Sequence, residues 1–362
     1  MDKVEISGIR RMFDLARTLK DPFDFSLGQP DFDVPAEIKS AAARAITDGA
    51  NRYTPSQGLE ETRQAVARYL QKRYGFSVDT SNVIITTGST GGLYLAHMCL
   101  VDEGDEVLIP DPYFVLYPHL VNLSRGTPVF IDTYPTRFRL TPQLIERHIT
   151  PRSRMLVLNN PVNPTGIAYT SDEIKAIAAV ARKHDLLVLA DEVYNHFTYD
   201  FKHESLYPHH PHTVLVGALS KTFGMPGWRI GYAVAPAPII EKMIVLQQFT
   251  YVCAPSVPQK VVGAALALNM DPLTVQAYRK KRDLAVETLR GAFEFETPQG
   301  AFYLFPKAPG GDADAFVKRA LDKGIVIVPG QTGSQKRSHF RLSFALPDSR
   351  LVQGLKLLRS IA

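Results

Sequence analysis

The residues best suited to chemistry fall in four short segments, each directly after an apolar run. The first is Ser220-Lys221-Thr222-Phe223-Gly224-Met225-Pro226-Gly227-Trp228-Arg229-Ile230-Gly231. A lysine just past a strand end, in a Gly-rich loop, is an odd place for a merely solvated side chain. Held in a partly dry cleft its pKa falls, and the neutral amine can attack a carbonyl to form a Schiff base. Arg229, eight residues on, supplies a fixed cation for a phosphate. The plainer alternative for this segment alone is a surface turn with both cations solvated.

The second segment, Asn159-Asn160-Pro161-Val162-Asn163-Pro164-Thr165-Gly166, has two X-Pro steps and a glycine. That makes a stiff loop able to aim the Asn163 amide at a ligand, or an ordinary turn. The third is Ala190-Asp191-Glu192-Val193-Tyr194. An aspartate at the carboxyl end of a buried strand points into the crevice where open α/β sheets bind ligands. Deep there it needs a cation, and a protonated pyridine nitrogen is one; a helix-capping role is the alternative. The fourth, Thr86-Thr87-Gly88-Ser89-Thr90-Gly91-Gly92-Leu93, opens a helical pattern. Free N–H groups and hydroxyls there make an anion site, although the run is neither GxGxxG nor a P-loop.

These segments need elements to position them. Short apolar runs occur at 83–87, 106–109, 128–131, 155–159, 186–190, 213–217 and 232–235. Runs without alternation suit strands buried on both faces. Helical patterns lie between several of them, such as 93–100 and 171–184; the latter opens with Thr170 three residues before Glu173, a capping-box spacing. This alternation predicts a mostly parallel sheet with helices on both faces, with a closed eight-fold barrel as the competing architecture. Residues 37–48 and 59–74 read as helices. A charged helix runs over 271–290. After it come a strand-like run at 302–306, a helix at 312–323, strand-like runs at 325–328 and 339–344, and a helix at 351–361. This tail reads as a second, smaller α+β unit.

Composition bounds the function. The chain has 362 residues, 45% apolar and 21% charged, ordinary for a globular protein of about two domains. Its 41 Lys and Arg against 36 Asp and Glu leave a net charge of +5, with no basic run, so no nucleic-acid partner is expected. Cys99 and Cys253 form no CxxC pair, which argues against a disulfide framework and fits a reducing compartment. The start, MDKVEISGIRR, has no apolar core of a signal peptide, and no stretch of about 18 apolar residues predicts a membrane span. A cytoplasmic location is expected.

Taken together, SKTFGMPGWRIG, NPVNPTG and DEVY resemble the fold-type I pyridoxal-phosphate enzymes, specifically the class I/II aminotransferases of the aspartate/aromatic kind. The resemblance runs from SLGQPDF (26–32) to FRLSFA (340–345), and the spacings agree: 28 residues from Asn163 to Asp191, 30 from Asp191 to Lys221. It implies an α/β fold with a seven-stranded, mostly parallel sheet and a smaller α+β domain. It also implies three parts: an N-terminal segment over 1–40 that joins the small domain, a large cofactor-binding domain over 41–284, and a C-terminal small domain over 285–362.

The implied cofactor is pyridoxal 5'-phosphate. Lys221 resembles the lysine that carries it as an imine and then shuttles the substrate Cα proton. Asp191 resembles the carboxylate paired with the pyridinium nitrogen. Asn163 and Tyr194 resemble the pair on the ring 3-oxygen, and Phe114 resembles the aromatic stacked on the pyridine face. Arg229, Ser89 and Thr90 would hold the phosphate. Tyr53 resembles the tyrosine that reaches the neighbouring subunit's phosphate, which implies a homodimer with shared active sites. Arg341 resembles the clamp on the substrate α-carboxylate. Gly28 would lie in the segment that closes over the substrate, and Asp111–Pro112 and Asn163–Pro164 are candidate cis bonds.

The implied activity moves an amino group from an L-amino acid of aspartate or aromatic type to a 2-oxo acid such as 2-oxoglutarate, ping-pong through a pyridoxamine form. A carbon–sulfur β-lyase would use the same lysine and aspartate. A non-catalytic cofactor-binding sensor would need a winged-helix module, for which the motifs, beginning near Ser26, leave no room.

Three departures stand out. Ala218 replaces a serine that contacts phosphate in many relatives. Thr90 stands where one aspartate-using branch has a lysine, and Pro329-Gly330-Gln331-Thr332-Gly333 varies a commoner loop. No second arginine for a distal carboxylate can be assigned among Arg125, Arg137 and Arg139. His209, His210 and His212 read as a solvated loop rather than a metal site. Cys99, Trp228 and Tyr232 read as core.

Overall fold

A computed structural model describes residues 8–362. In chain order its strands are β1 (Phe23–Asp24), β2 (Val83–Thr86), β3 (Glu106–Asp111), β4 (Thr127–Asp132), β5 (Ser153–Asn159), β6 (Leu187–Asp191), β7 (Thr213–Ala218), β8 (Gly231–Val234), β9 (Tyr303–Leu304), β10 (Ile325–Val326), β11 (Val328–Pro329) and β12 (Phe340–Ser343). The seven apolar runs at 83–235 become β2 to β8. They form one sheet in the order β2-β8-β7-β6-β5-β3-β4. β8 alone runs against its neighbours, pairing antiparallel with both β2 and β7. The edges β2 and β4 remain apart, so the sheet is open and the closed barrel is set aside.

Both faces of this sheet are buried, which is why the runs lack alternation. Ile84, Val107, Ile109, Val157, Leu189 and Val216 point to one face, beneath helices Gly88–Leu100, Leu116–Leu123 and Ala237–Thr250. Their neighbours Ile85, Leu108, Leu158, Val188, Ala190 and Leu215 point to the other. There they meet helices Ala36–Thr47, Glu60–Tyr74, Ser171–Lys183 and Ser256–Ala267. The cap expected at Thr170 is present: its side chain accepts from the Glu173 amide while Glu173 accepts from the Thr170 amide at 2.8 Å.

The C-terminal part has its own core, built from residues such as Leu289, Phe302, Phe316, Phe340 and Leu355. The run at 325–328 divides there. β10 pairs in parallel with β1, so the chain's amino-terminal strand joins this unit, while β11 pairs antiparallel with β12. The 271–290 pattern becomes a π turn, Pro272–Gln276, followed by helix Ala277–Leu289. The peptide bonds Asp111–Pro112 and Asn163–Pro164 are cis, and so is Asn160–Pro161.

Candidate active site

Because β8 is the one reversed strand of this seven-stranded sheet among the described residues, the carboxyl ends of β2, β3, β5, β6 and β7 share one edge of the sheet with the start of β8. That edge is where an open α/β sheet binds ligands. It brings together Ser89, Phe114 and Asn163 from the segments after β2, β3 and β5, Asp191 from the end of β6, and Lys221 and Arg229 from the one connection between β7 and β8. The C-terminal unit closes the space from above with Arg341 on β12 and Tyr303 on β9. The result is a cavity of about 230 Å³ lined by Gly28, Ser89, Thr90, Phe114, Asn163, Asp191, Tyr194, Lys221, Arg229 and Arg341, among others. Tyr53 is not part of it; its side chain is 86% exposed.

Asp191 is buried at the end of β6. Its carboxylate accepts from the Tyr117 hydroxyl at 2.7 Å and from the Val193 amide at 3.3 Å. Burial dominates these bonds and pushes its pKa up to about 6. The loop after β5 is locked onto the same strand: the Asn159 side chain donates to the Asp191 carbonyl at 2.9 Å, and accepts from the Asn163 amide at 2.7 Å. The Tyr194 and Tyr303 hydroxyls meet at 2.8 Å.

Lys221 donates from Nζ to the Gly28 carbonyl, which ties the N-terminal segment across the cavity. Burial lowers the lysine pKa to about 8, helped by the positive charges of Arg341 and Arg229 and opposed by Asp191. A side chain on residue 28 would run into the Tyr303 hydroxyl, so the close crossing needs glycine.

At the other end, helix Gly88–Leu100 points its free amides into the cavity beside the Ser89 and Thr90 side chains. Arg229 has a left-handed backbone, φ 53°, and its guanidinium donates to the Pro226 carbonyl at 3.0 Å and the Thr87 carbonyl at 3.4 Å. Gly88 has φ 67°, and a Cβ there would strike that guanidinium. The arginine is thus held against a helix N-terminus, a cradle suited to a phosphate. Arg341 is 4% exposed. It donates to Asn163 Oδ1 at 3.1 Å and to the Ser26 carbonyl at 2.6 Å, lies 4.7 Å over the Tyr303 ring, and keeps a buried Nε without a partner. An orphaned donor on a buried cation suits a carboxylate ligand.

Sequence reasoning misses Tyr117, Asn159, Ser220 and Tyr303, which also line the cavity. Tyr117 carries a usable signal: it lies three residues after Phe114 and the rings meet edge to face at 5.7 Å. Tyr303 hides in an apolar strand run. Ala218, the position that departs from the serine of many relatives, is not among the lining residues, whereas Ser220 is. Arg125 pairs with Glu103, Arg137 with Glu296, and Arg139 with Glu173 and Gln299; none of the three lines the cavity. The histidine stretch corrects the sequence reading: His210 is buried and bonds the Leu186 carbonyl at 2.8 Å, because the chain turns inward before β7. Cys99 is half-buried at the rim of a core and Tyr232 lies within one.

The architecture is that of the fold-type I pyridoxal-phosphate enzymes. Among solved structures, the aspartate aminotransferase of Thermus thermophilus with maleate matches with a TM-score of 0.95 and 32% identity, over 100% of this chain and 98% of that one. The Probable N-acetyl-LL-diaminopimelate aminotransferase of Bacillus subtilis is 36% identical over 98% of this chain and 92% of its own length. The aspartate aminotransferase of Pyrococcus horikoshii is 35% identical over 97% and 93%. The model of the family "Aminotransferase class I and II" matches residues 20–357. The chain belongs to that family and is an aminotransferase, an enzyme of a family that generally works with pyridoxal phosphate. This sets aside the non-catalytic sensor, and it favours transamination over β-elimination.

Proposed function

We propose that this aminotransferase uses pyridoxal 5'-phosphate to move the amino group of an L-amino acid of aspartate or aromatic type to a 2-oxo acid such as 2-oxoglutarate. The observation that carries the reading is the convergence of a softened lysine, a buried aspartate and two fixed arginines on one cavity. The relatives' names, which include aspartate, aromatic-amino-acid and aspartate/prephenate aminotransferases, support the donor class.

Bound there, the coenzyme supplies an electron sink for the substrate Cα. Lys221 would anchor it covalently, and its amine would be the base that moves a proton at the substrate Cα. Asp191 would pair with the ring nitrogen, and the Tyr117 hydroxyl and the Val193 amide fix the orientation of its carboxylate. Asn163 and Tyr194 would donate to the ring 3-oxygen, and Phe114 would cover the ring face. Arg229, Ser89, Thr90 and the amides of helix Gly88–Leu100 hold the phosphate. Arg341 takes the α-carboxylate with Asn163 beside it, and Gly28 lets the N-terminal segment pass close over the substrate.

The reading includes a cytoplasmic homodimer in which Tyr53 reaches the phosphate of the other protomer. Its support is a set of exposed apolar side chains, Tyr53, Val245, Phe249 and Val252, on adjoining segments tied by the Gln247–Ser56 hydrogen bond. It keeps a three-part division, 1–40, 41–284 and 285–362, with helix Ala277–Leu289 crossing the last border.

The test is stoichiometry. Without an acceptor, the loaded enzyme should release one equivalent of 2-oxo acid per active site from aspartate or an aromatic amino acid. It should turn over continuously once 2-oxoglutarate is added. Continuous release of ammonia with the oxo acid, or no oxo acid from any donor, contradicts the reading.

A further inference from the structure

The hairpin that carries Arg341 has an unusually well tethered tip. β11 and β12 place Val328 opposite Arg341 and Pro329 opposite Phe340. The ten residues between these strands reach across to the loop after β3, the one that presents Phe114. There the Tyr113 amide donates to the Gly333 carbonyl at 2.8 Å, and the Gln335 amide donates to Asp111 Oδ2 at 3.1 Å. The Gln335 side chain donates from Nε2 to the Tyr113 hydroxyl at 2.8 Å.

Two further ties bind the tip to the end of β4 and the turn after it. Ser334 Oγ lies 2.8 Å from the Tyr134 hydroxyl. Lys336 pairs with Asp132 at 2.7 Å, its ammonium 4.2 Å from the centre of the Tyr134 ring. Ser334 is 4% exposed, so this contact is inside the molecule and not a loose surface touch. The approach is so close that a Cβ on Gly333 would collide with the Tyr113 carbonyl oxygen.

The two ends of this brace are the two walls of one slot. Arg341 leaves the hairpin at one end; Phe114 follows Tyr113 at the other. A narrow apolar cleft between them is lined by Phe114, Val115, Phe305, Thr332 and Arg341. Closely packed elements do not stretch, so a fixed tip fixes the width of the slot.

We propose that residues 333–336 form a strut that sets the separation of Arg341 from Phe114, with Gln335 as a positioning residue for the amino-acid substrate. This rests on the reading of Arg341 as the carboxylate clamp. The strut touches neither Lys221 nor the phosphate cradle. Its loss should therefore loosen the grip on the substrate more than the hold on the cofactor, which Lys221, Asp191 and Arg229 keep.

The test uses full-length Gln335→Ala, Tyr113→Phe and the double variant, each loaded with cofactor. Gln335→Ala is expected to raise KM for the amino donor about three- to tenfold, the range open to one net hydrogen bond, with kcat within about twofold. Cofactor affinity, read by absorbance titration of the apoprotein, is expected to change less than KM, by no more than about twofold. Tyr113→Phe should match Gln335→Ala, and the double variant should add nothing further. In the apoprotein of Gln335→Ala, amide exchange across 111–117 should quicken, a readout independent of turnover. Unchanged KM and unchanged exchange, a fall in cofactor affinity parallel to KM, or strictly additive effects would each overturn the strut. Failure of the wild-type enzyme to transaminate any donor would strike the underlying reading instead, and the exchange result would still judge the strut.

Discussion

Lys221 shows how position converts an ordinary ammonium into a nucleophile. Two guanidinium groups and a dry cavity favour its neutral form, and the pKa falls to about 8. Cofactor uptake by the apoprotein should accelerate with pH and level off just above 8, measured by stopped-flow absorbance. A rate that keeps climbing toward pH 10 would mean an ordinary lysine. The same shift acts on stability. Between about pH 8 and the ordinary lysine value of 10.5 the unfolded chain holds a proton that the folded one has lost, so Lys221 makes stability rise with pH across that window. Lys221→Met should therefore melt higher than wild-type apoprotein at pH 7, with the gap closing as pH passes 8. Asp191→Asn should lower turnover by about a hundredfold or more while leaving the fold intact by circular dichroism; near-normal turnover would remove the aspartate from the mechanism. Most of these side chains were legible because each directly follows a recognisable strand. Tyr117 and Tyr303 were not, since an aromatic in an apolar run looks like core until a neighbouring hydroxyl or carboxylate is seen to meet it.

At the scale of elements, the phosphate cradle depends on a helix start that only glycine permits. Gly88→Ala should push the Arg229 guanidinium aside and weaken cofactor affinity about tenfold or more, read by absorbance titration. Wild-type affinity in that variant would separate Arg229 from phosphate binding. Thr170→Ala, far from the chemistry, should cost about 1 kcal/mol of stability through the lost cap and leave kcat unchanged. The strands of the large sheet were plain in the sequence because burial on both faces leaves uninterrupted apolar runs. Helix Ala237–Thr250 has a weaker signal: Ile240 and Met243 face the core while Val245 and Phe249 face outward, which blurs the helical period. The division of 325–328 into two strands was beyond local reading, because it is decided by two different partners, β1 and β12.

For the whole molecule, the site is assembled from both ends of the chain. Phe23 pairs with Ile325, Gly28 crosses above Lys221, and Arg341 reaches back to Ser26 and Asn163. No local pattern contains such closure; the resemblance over nearly the whole chain is what made it readable. The proposed dimer extends the same logic beyond one protomer. Phe249→Glu should yield monomers in analytical ultracentrifugation and a large loss of turnover, since it puts a charge into the exposed apolar set proposed to join the protomers. Fully active monomers would remove Tyr53 from the site.

If the site works as proposed, the coenzyme is carried covalently on one particular amine, that of Lys221. Borohydride reduction of the protein loaded with pyridoxal phosphate, followed by proteolysis and mass spectrometry, tests it directly. A single pyridoxyl label is expected, on Lys221, at about one per chain. A label on another lysine, or none after reduction of fully loaded protein, would contradict it.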